Sequence, residues 1–394
     1  MKKKILFIMS SLRSGGAERS LVNLLCLFDF KKYDVDLLLF QQEGFFLTQL
    51  PDEVKLISDC EDLHVLYENS LNKIFSFKHP ILSIMHVICT IISKAAAGGG
   101  SKSRQYRWKK FYKNKIKEIK RHYDIGIAYM HCEPVYFLAD KVNADIKIGW
   151  IHNDYSQIAH DKSMDLEYFK KIDKIISISD ICVEVLKKTF PSQADKIYML
   201  PNLTSSQAVH KLADEFMPEV FNTKKIKLLS VGRLEEQKGF DIAVKAAAIL
   251  KKRGMDFIWI VLGSGRLKKE LENQIKQSAL ENHFFLAGTK KNPYPFMKNA
   301  DIIVQTSRFE GKSVVIDEAK ILAKPIVVTR YPTVYDQIDE NEGIITELNA
   351  QSVADGIESM LINKQKYIDW ISKRNYGNQD EINKYYEIFK GSNI

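Results

Sequence analysis

The stretch IKLLSVGRLEEQKGFD, residues 226–241, contains the local unit on which the fold of this chain rests. Its first part, 226–232, is a short apolar run that meets a polar turn. Gly239 stands at the end of that turn, where a segment with apolar residues at helical spacing begins. Short apolar runs bounded by turn residues are typical of buried strands, and a 3.6-residue period is typical of helices. The stretch therefore predicts a strand, a turn and a helix in succession.

The same alternation recurs along most of the chain, on both sides of a polar stretch at 204–225. Before that stretch we expect strands at 4–10, 34–40, 54–58, 124–130, 146–152, 174–179 and 196–200. After it we expect, besides 226–232, strands at 257–263, 284–288, 301–306, 325–329 and 343–347. Alternating strands and helices predict parallel sheets, and 394 residues exceed the usual size of one domain. The sequence thus predicts an α/β fold with two doubly wound domains and a linker at 204–225.

Four groups of residues follow predicted strands, where ligands bind in sheets of this kind. The first is the pair Gly15 and Gly16, in a turn between the first strand and a helix. Glycines let backbone amides approach a ligand closely, and a helix amino terminus attracts anions. The pattern is not G-x-G-x-x-G, so it is not a dinucleotide fingerprint. Alone, it indicates only an ordinary strand-to-helix turn.

The second group is Arg233 and Lys238, which flank the turn after the strand at 226–232. Arginine offers a bidentate fork for phosphate oxygens, and lysine a mobile point charge. Most surface cations are simply solvated. Two cations at one strand-to-helix turn nevertheless favour a diphosphate site.

The third group lies in SRFEGKSVVIDEAKIL, residues 307–322. Glu310 precedes a turn that contains glycine, from which it can reach a sugar hydroxyl. Glu318 lies within the following helix among apolar neighbours, so a solvated face explains it poorly. Such a carboxylate can accept two hydrogen bonds from a vicinal diol such as a ribose. Amides at a helix amino terminus bind anions. The candidates for phosphate binding are the amides of Gly311, Lys312, Ser313 and Val314.

The fourth group is a single residue, His152, in the segment WIHND at 150–154. It ends an apolar strand, so its side chain is expected at the carboxyl end of the sheet. A lone histidine is as easily a structural hydrogen-bonding group. We interpret His152 as functional because of its position beside the other groups.

The five cysteines are widely spaced, and no two form a Cys-x-x-Cys pair. This argues against a zinc site and a disulfide framework, and it fits a reducing cytoplasm. The apolar run at 5–9 is too short for a secretory signal, so we expect a buried strand there. The sequence therefore predicts a cytoplasmic protein.

The net charge of +9 belongs to one segment of the chain. Residues 102–121 hold ten lysines or arginines against one acid, Glu118. Apolar residues at helical spacing precede it at 81–92, and the Ala/Gly/Ser run at 95–101 predicts a flexible joint. We expect no membrane-spanning helix, because no stretch reaches the ~18 apolar residues required. Without a nucleic-acid motif, one basic segment does not favour nucleic-acid binding either.

Together the motifs GGAE (15–18), VGRLEEQKG (231–239) and EGKSVVIDEA (310–319) resemble glycosyltransferase family 4, which has the GT-B fold. The resemblance covers nearly the whole chain and is strongest over 226–363. It implies two Rossmann-like domains facing each other across a cleft. These would be an acceptor-binding domain at 1–203, a nucleotide-sugar-binding domain at 204–375, and a C-terminal helix within 376–394 that packs back on the first domain.

The resemblance also implies a function, that of a retaining, metal-independent glycosyltransferase without a cofactor. The donor would be a nucleotide sugar carrying a hexose or N-acetylhexosamine, with UDP preferred to GDP on family grounds. The acceptor would be a lipid-linked saccharide or another cell-surface glycan. Asp34 and Asp36 form a D-x-D pattern that binds metal in other glycosyltransferases, but here it lies within a predicted strand.

The resemblance assigns a role to each matching residue. Arg233 and Lys238 would bind the donor diphosphate, Glu310 the donor sugar and Glu318 the ribose. The turn at Gly15 and Gly16 would close on the phosphates, and His152 would lie near the reacting sugar. There are two departures. Lys312 stands where the family usually has an apolar or aromatic residue, and Leu203 where it usually has glycine.

Alternatives stay open at this point. Non-hydrolysing nucleotide-sugar epimerases share the GT-B architecture, although the sequence shows no obvious extra acid–base carboxylates. A non-catalytic sugar-binding protein is a further possibility, against which the intact charged motifs argue. The segment 79–121 is either a core helix with a solvated basic face or a peripheral attachment to an anionic membrane surface, with about 1 kcal/mol contributed per basic residue.

Overall fold

The structure is a computed structural model that describes residues 2–13, 15–58, 60–68 and 79–390. By its internal contacts the chain divides into two compact units. Within the described residues, unit 1 consists of 2–13, 17–201 and 382–390, and unit 2 of 15–16 and 202–381. Residues 391–394 of the predicted C-terminal segment lie outside the described part.

Unit 1 is built on a seven-stranded sheet in the order β3-β2-β1-β4-β5-β6-β7. Its strands are β1 Lys3–Met9, β2 Tyr33–Leu39, β3 Lys55–Leu56, β4 Ile119–Ala128, β5 Val142–Ile151, β6 Lys174–Ser177 and β7 Ile197–Met199. Its α-helices begin with α1 Gly16–Cys26, α2 Glu61–Leu66, α3 Pro80–Ala97 and α4 Gly100–Arg107, which a π-helix, Trp108–Tyr112, continues. They go on with α5 Glu133–Lys141, α6 Lys162–Phe169 and α7 Asp180–Thr189.

Unit 2 is built on a six-stranded sheet in the order β10-β9-β8-β11-β12-β13. Its strands are β8 Ile226–Val231, β9 Phe257–Leu262, β10 Phe284–Leu286, β11 Ile302–Gln305, β12 Ile326–Thr329 and β13 Ile344–Thr346. Its α-helices are α8 Ser206–Ala213, α9 Phe240–Lys252, α10 Lys268–Gln277, α11 Tyr294–Asn299, α12 Val314–Ile321 and α13 Ala350–Ser372. The last helix within the described residues, α14 Ile382–Phe389, belongs to unit 1.

Short 3₁₀ helices complete the described secondary structure: Leu47–Gln49, Tyr155–Gln157, Pro191–Lys196, Glu219–Phe221, Glu236–Lys238, Val334–Asp336 and Gln379–Glu381.

The paired strands of both sheets run parallel, and their central strands are buried. Parallel sheets carry helices on both faces, so their central strands are apolar on both sides. This explains the unbroken apolar runs at β1 and β9. The chain order of the strands reverses between β1 and β4 and again between β8 and β11, which is where such sheets form their ligand crevices. The predicted α/β class with two doubly wound sheets is confirmed.

The structure corrects several local predictions. The predicted strand at 54–58 is reduced to Lys55–Leu56 at a sheet edge, and the strand predicted at 124–130 begins earlier, at Ile119. The linker at 204–225 contains helix α8, which sequence patterning indicated only weakly. Ser205 caps α8 by accepting a hydrogen bond from the amide of Ala208, and Val209 packs into the core of unit 2.

The flexible joint predicted at 95–101 is largely helical. Helix α3 continues through Ala97 and ends at Gly98, whose φ of 73° is left-handed. Alanine is the strongest helix former, so the alanines extend the apolar segment at 81–92. The helix then has 18 residues and a mean hydropathy of 1.6, which is long and apolar enough to cross a membrane. The expectation that no stretch reaches this length was therefore wrong.

Helix α3 carries its isoleucines on the outside. Its buried side chains are small or polar: Ser83, His86, Cys89 and Ser93. Its exposed side chains include Ile81, Ile84, Ile88, Ile91 and Ile92. His86 Nδ1 lies 2.8 Å from the hydroxyl of Tyr112, so the polar face is bonded into unit 1. This arrangement is the reverse of an ordinary surface helix.

Helix α14 packs into the core of unit 1 through aromatic and aliphatic side chains. The hydroxyl of Tyr385 donates to the carbonyl oxygen of Pro201 at 2.6 Å, and its ring stacks on Trp150 with centroids 5.5 Å apart. Ile388 and Phe389 have no exposed surface. The end of the described chain is thus a structural part of unit 1.

We predict that Ile388→Ala lowers the stability of unit 1 by about 2–5 kcal/mol, because it leaves a cavity in a closed core. Ile91→Ala makes the same chemical change on the exposed face of α3 and should cost less than about 0.5 kcal/mol. Urea unfolding followed by tryptophan fluorescence measures both. Equal effects of the two substitutions would contradict the docked position of α14.

Candidate functional site

The turn after β8 lies directly against the chain that follows β11. It consists of the 3₁₀ helix Glu236–Lys238 and Gly239, whose φ is 62°. A Cβ atom at position 239 would lie only 2.1 Å from the carbonyl oxygen of Thr306. Both the left-handed backbone and the close approach therefore require glycine at this position.

Lys238 and Glu310 form an ion pair across this contact, with Nζ 2.6 Å from Oε1. Only 15% of the lysine side chain and 8% of the glutamate side chain are exposed. Ser307 Oγ donates to the same carboxylate oxygen at 2.6 Å, and Thr333 Oγ1 donates to the carbonyl oxygen of Glu310 at 2.9 Å. Glu310 is therefore held in one orientation.

Further hydrogen bonds fasten the loop after β11 to the same turn. The amide of Arg308 donates to the carbonyl of Gln237 at 2.7 Å. The Arg308 guanidinium forms a bidentate contact with Asp241, at 2.9 and 2.8 Å. Burial alone raises the pKa of Asp241, but the hydrogen bonds and charge of Arg308 outweigh it and hold the pKa below its ordinary value. Arg308 is thus a structural cation of the loop.

Arg233 follows β8 with an exposed side chain. The turn after β9 packs closely on this segment, because a Cβ at Gly263 would lie 1.8 Å from the carbonyl oxygen of Gly232 and one at Gly265 2.4 Å from that of Leu234. These two glycines are not among the residues predicted from the sequence. Their signal was the Gly-Ser-Gly triplet directly after a predicted strand.

The amino end of α12 is tied to a buried glutamine. The amide of Ser313 donates to Gln337 Oε1 at 2.6 Å, and Gln337 Nε2 donates back to the carbonyl of Ser313 at 2.9 Å. Ser313 Oγ donates to Gln305 Oε1 at 2.6 Å. The Ser313 amide, one of the predicted phosphate ligands, therefore has a partner within the protein. Neither glutamine was predicted from the sequence.

Glu318 points into the core side of α12 and is 3% exposed. Its Oε1 accepts a hydrogen bond from the hydroxyl of Tyr294 at 2.7 Å. An ionised carboxylate offers about four acceptor positions, so this side chain can accept more than one hydrogen bond.

Gly16 is the first residue of α1, and a Cβ built on it would meet no atom within 4 Å. The space beside this helix terminus is therefore open. Gly44, which was not predicted from the sequence, packs on the segment that follows β1. A Cβ at position 44 would lie 2.0 Å from the carbonyl oxygen of Leu12.

His152 follows β5 and is buried against aromatic rings. Its ring lies 4.8 Å from that of Tyr129, which in turn stacks on Trp150 at 4.9 Å. The Tyr129 hydroxyl is 2.8 Å from Ser20 Oγ on α1, and burial raises the pKa of Tyr129. His152 therefore packs on Tyr129, the residue whose hydroxyl connects the central strands of the sheet to α1.

The D-x-D aspartates are engaged by neighbouring side chains. Lys55 Nζ lies 2.9 Å from Asp34, while Asp36 pairs with Arg121 and accepts a hydrogen bond from the Tyr123 hydroxyl at 2.8 Å. Across the described ranges no group of three or more potential metal ligands occurs.

With this geometry in hand, the chain can be compared with known proteins. Residues 213–375 match the family described as glycosyl transferases group 1. The match contains Arg233, Lys238, Glu310 and Glu318, and it confirms the resemblance noted from the motifs at the level of this group.

Several curated glycosyltransferases are similar to parts of the chain. It is 26% identical over 224 residues to an uncharacterized glycosyltransferase of Methanocaldococcus jannaschii, covering 54% of each chain. It is 28% identical over 219 residues to a Campylobacter jejuni enzyme named N-acetylgalactosamine-N,N'-diacetylbacillosaminyl-diphospho-undecaprenol 4-alpha-N-acetylgalactosaminyltransferase, covering 54% of this chain and 57% of that one. The chain thus spans about half the length of the curated relatives it matches.

Among solved structures, the chain is similar to Anabaena HepE in complex with UDP-glucose. The TM-score is 0.68 at 17% identity, and the match covers 99% of this chain and 100% of the other. This similarity shows the fold, which is GT-B, as the resemblance implied.

The contact at Gly239 yields a prediction for the residues that match the group 1 family. Gly239 and Gly254 flank helix α9, and both have positive φ, but only Gly239 meets a backbone atom. Gly254→Ala should cost about 1–2 kcal/mol from its backbone conformation alone. Gly239→Ala should cost clearly more, because the turn must also move away from Thr306.

Differential scanning calorimetry of both variants measures this difference. Similar melting temperatures for Gly239→Ala and Gly254→Ala would mean that the turn after β8 does not lie against the loop after β11.

Proposed function

We propose that the chain is a retaining glycosyltransferase that moves a hexose or N-acetylhexosamine from a nucleotide sugar, UDP-linked, to a lipid-linked saccharide or another cell-surface glycan. The observation that carries this proposal is the contact of Lys238 with Glu310 where β8 and β11 end, within the residues that match the group 1 family. A cation suits the diphosphate of a nucleotide sugar, and a carboxylate suits the hydroxyl groups of its sugar. Here the two groups lie at adjoining strand ends.

The donor diphosphate would be held by Lys238 and Arg233. Lys238 Nζ lies on Glu310 in this structure. An incoming diphosphate carries charge that competes with Glu310 for this lysine. Exchange of one partner for the other would leave Glu310 able to accept hydrogen bonds from the donor sugar. Arg233, with its exposed guanidinium, would supply the bidentate phosphate contact.

The nucleoside and the remaining phosphate oxygens would lie along α12. Glu318, which accepts a hydrogen bond from Tyr294 in this structure, would accept the ribose hydroxyls. The helix amino end, from Gly311 and Lys312 to Val314, would face the phosphates. The Ser313 amide would bind a phosphate oxygen only after its hydrogen bond to Gln337 Oε1 breaks.

In the reaction, the bond between the anomeric carbon and the phosphate oxygen breaks with an oxocarbenium-like transition state. The acceptor oxygen bonds to the same face of that carbon, and its proton passes to the departing phosphate. Negative charge grows on the leaving diphosphate, so cations and amides fixed around it stabilise the transition state without a metal ion. His152, at the end of β5, would act at the reacting sugar.

Names of similar proteins support this assignment. The Campylobacter jejuni relative is named for a diphospho-undecaprenol acceptor, and the Anabaena neighbour was solved with UDP-glucose. The first name supports a lipid-linked acceptor for this chain, and the second supports a nucleotide-sugar donor.

A panel of UDP- and GDP-sugars tests the proposal, with thermal stabilisation and donor hydrolysis as readouts. We expect a UDP-sugar to stabilise the protein and to turn over. Arg233→Ala should raise the activation free energy of transfer by about 2–4 kcal/mol, because it removes a charge-assisted contact to the leaving group. The control is Lys252→Ala, an exposed cation at the far end of α9.

Three results would argue against the proposal. Near-wild-type turnover by Arg233→Ala would remove that residue from the donor site. Binding of no nucleotide sugar would reject the donor class. Interconversion of two UDP-sugars without an acceptor would favour an epimerase instead.

We further propose that the protein works on the cytoplasmic face of a membrane, attached peripherally through residues 79–121. Helix α3 presents five isoleucines to the outside and keeps its polar side chains within unit 1. Burying an isoleucine in an apolar medium is favourable by about 1.5–3 kcal/mol. This face is therefore the principal contribution to membrane binding.

The basic segment contributes less than its ten charges imply. Four of its basic residues pair with acids elsewhere in unit 1: Arg104 with Glu133, Lys113 with Asp140, Lys117 with Asp62 and Arg121 with Asp36. Six cations in the segment form no ion pair within the described residues. Salt should therefore weaken membrane binding without abolishing it.

Sedimentation with vesicles tests the attachment. We expect binding to anionic vesicles at low salt and partial release at 1 M salt, where the Debye length falls to about 3 Å. Ile88→Glu should weaken binding by about tenfold or more, because it places a charge in the apolar face. Ile362→Glu makes the same change at an exposed position of α13 and should have no effect.

Equally little binding to neutral and anionic vesicles at low salt would reject membrane attachment. Equal behaviour of the two isoleucine variants would show that α3 is not the contact surface.

A further inference from the structure

Besides His152, a cluster of two histidines lies beyond the carboxyl ends of the central strands of unit 1. His131 follows β4 and His160 follows β5, and their ring centroids are 5.3 Å apart. Nδ1 of His131 and Nε2 of His160 are both buried, and neither has a hydrogen-bond partner within the described residues. Buried polar atoms are normally paired, so each such exception calls for a physical reason.

Asp165 on α6 determines which nitrogen of His160 carries the proton. Its Oδ2 lies 2.8 Å from His160 Nδ1. The hydroxyls of Tyr136 and Tyr155 and the side-chain amide of Gln105 also donate to this carboxylate. An ionised carboxylate only accepts hydrogen bonds, so Nδ1 of His160 carries a proton. When the ring is neutral, its Nε2 therefore offers a lone pair.

The half-buried His131 is held neutral near pH 7. Burial lowers its pKa well below the ordinary value, and His160, Arg104 and His152 lower it further. A neutral imidazole has one N–H group and one lone pair. In the tautomer that carries the proton on Nδ1, His131 can donate from this buried nitrogen to a group that accepts.

The backbone beside His131 is strained. Cys132 has a φ of 70°, which residues other than glycine rarely adopt. The next residue, Glu133, is fully buried and paired with Arg104, whose Nε lies 2.8 Å from Oε1. Strain of this kind persists only where the surroundings enforce it, and it is concentrated at functional sites. It fixes the direction of the His131 loop.

A hydroxyl group matches these two nitrogens. Its oxygen accepts from His131 Nδ1–H, and its own hydrogen is donated to the lone pair of His160 Nε2. A carboxylate or a fully ionised phosphate cannot make the second bond because it has no hydrogen to donate. An ammonium group cannot make the first because it has no lone pair.

We propose that His131 and His160 form a hydroxyl-binding subsite for the saccharide acceptor, with Asp165 as the residue that positions His160. This inference rests on the proposed function and names where, in unit 1, the acceptor is recognised. The two histidines are specificity-determining residues, since they would contact an acceptor hydroxyl outside the donor site of unit 2.

Nuclear magnetic resonance of the imidazole groups in the full chain tests the subsite. The probes are methyl glycosides of glucose, galactose, N-acetylglucosamine and N-acetylgalactosamine, with acetate at pH 8 as a negative control because an ionised carboxylate has no hydrogen to donate. We expect at least one glycoside, and not acetate, to shift the resonances of both His131 and His160. If no glycoside shifts them, the two nitrogens bind water only and the proposal is wrong.

Variants separate binding from structure. His160→Asn keeps a donor toward Asp165 but lacks Nε2, and His131→Gln lacks the buried Nδ1. Each should weaken glycoside binding about tenfold, the size expected for one lost hydrogen bond. His122→Asn, at the opposite end of β4, is the matched control. Unchanged affinity in His131→Gln would overturn the proposal even if His160→Asn fails to fold.

Asp165→Asn provides the test of the positioning role. Its amide can donate to Nδ1, so the proton of His160 should move to Nε2, which nitrogen chemical shifts report. An unchanged tautomer would remove Asp165 from the proposal.

Calorimetry with UDP keeps the two proposals distinct. Both histidine variants should bind UDP as the wild type does, because the donor residues lie in unit 2. A wild type that binds UDP but no glycoside at His131 and His160 would leave the proposed function standing and reject the subsite. A wild type that shows the glycoside shifts but binds no nucleotide sugar would reject the proposed donor.

Discussion

The ion pair between Lys238 and Glu310 joins two chain segments that are 72 residues apart in sequence. Both charged groups are largely removed from water, which costs several kcal/mol per ion before their attraction is counted. The net stabilisation is therefore small, but the loss of either partner would leave a buried charge and cost about 3–5 kcal/mol. The pair acts chiefly as a constraint, because it fixes the turn after β8 against the loop after β11. A donor diphosphate that replaces Glu310 at Lys238 would leave this carboxylate without its cation, so in the proposed binding step the hydroxyls of the donor sugar must supply hydrogen bonds to Glu310.

The fold was largely predictable because its signals are local. A strand such as β8 is a continuous apolar run, and glycine at 239 marks the turn that follows. Errors occurred where local patterning is weak or misleading. The edge strand β3 has little apolar surface to bury, and α8 owes its stability to a serine cap and to packing against unit 2. Helix α3 was read as too short because the alanines at its end were assigned to a joint.

The sequence motifs indicate individual residues of the candidate site but not the contacts among them. The motifs indicated Lys238, Glu310 and Glu318, while nothing in their spacing gave the ion pair or the bond from Tyr294. Gln337 was missed because a glutamine that occupies a helix amide has no local sequence signature. The same holds for Asp165, whose partners come from α4, α5 and the segment after β5, so that only the assembled sheet brings them together.

The charge of the segment 102–121 also illustrates why counting residues is insufficient. Arg104 and Gln105 on α4 turn inward, the first to Glu133 and the second to Tyr136 and the chain at Asp161. Burial alone raises the pKa of Glu133, but the charge of Arg104 outweighs it and leaves the pKa below its ordinary value. Helix α4 therefore contributes to the histidine cluster with one face, and it directly follows the helix whose isoleucines face outward. An acceptor anchored in the membrane would therefore meet hydroxyl-binding residues on loops that α4 holds in place, and α4 is the helix directly after the isoleucine face of α3.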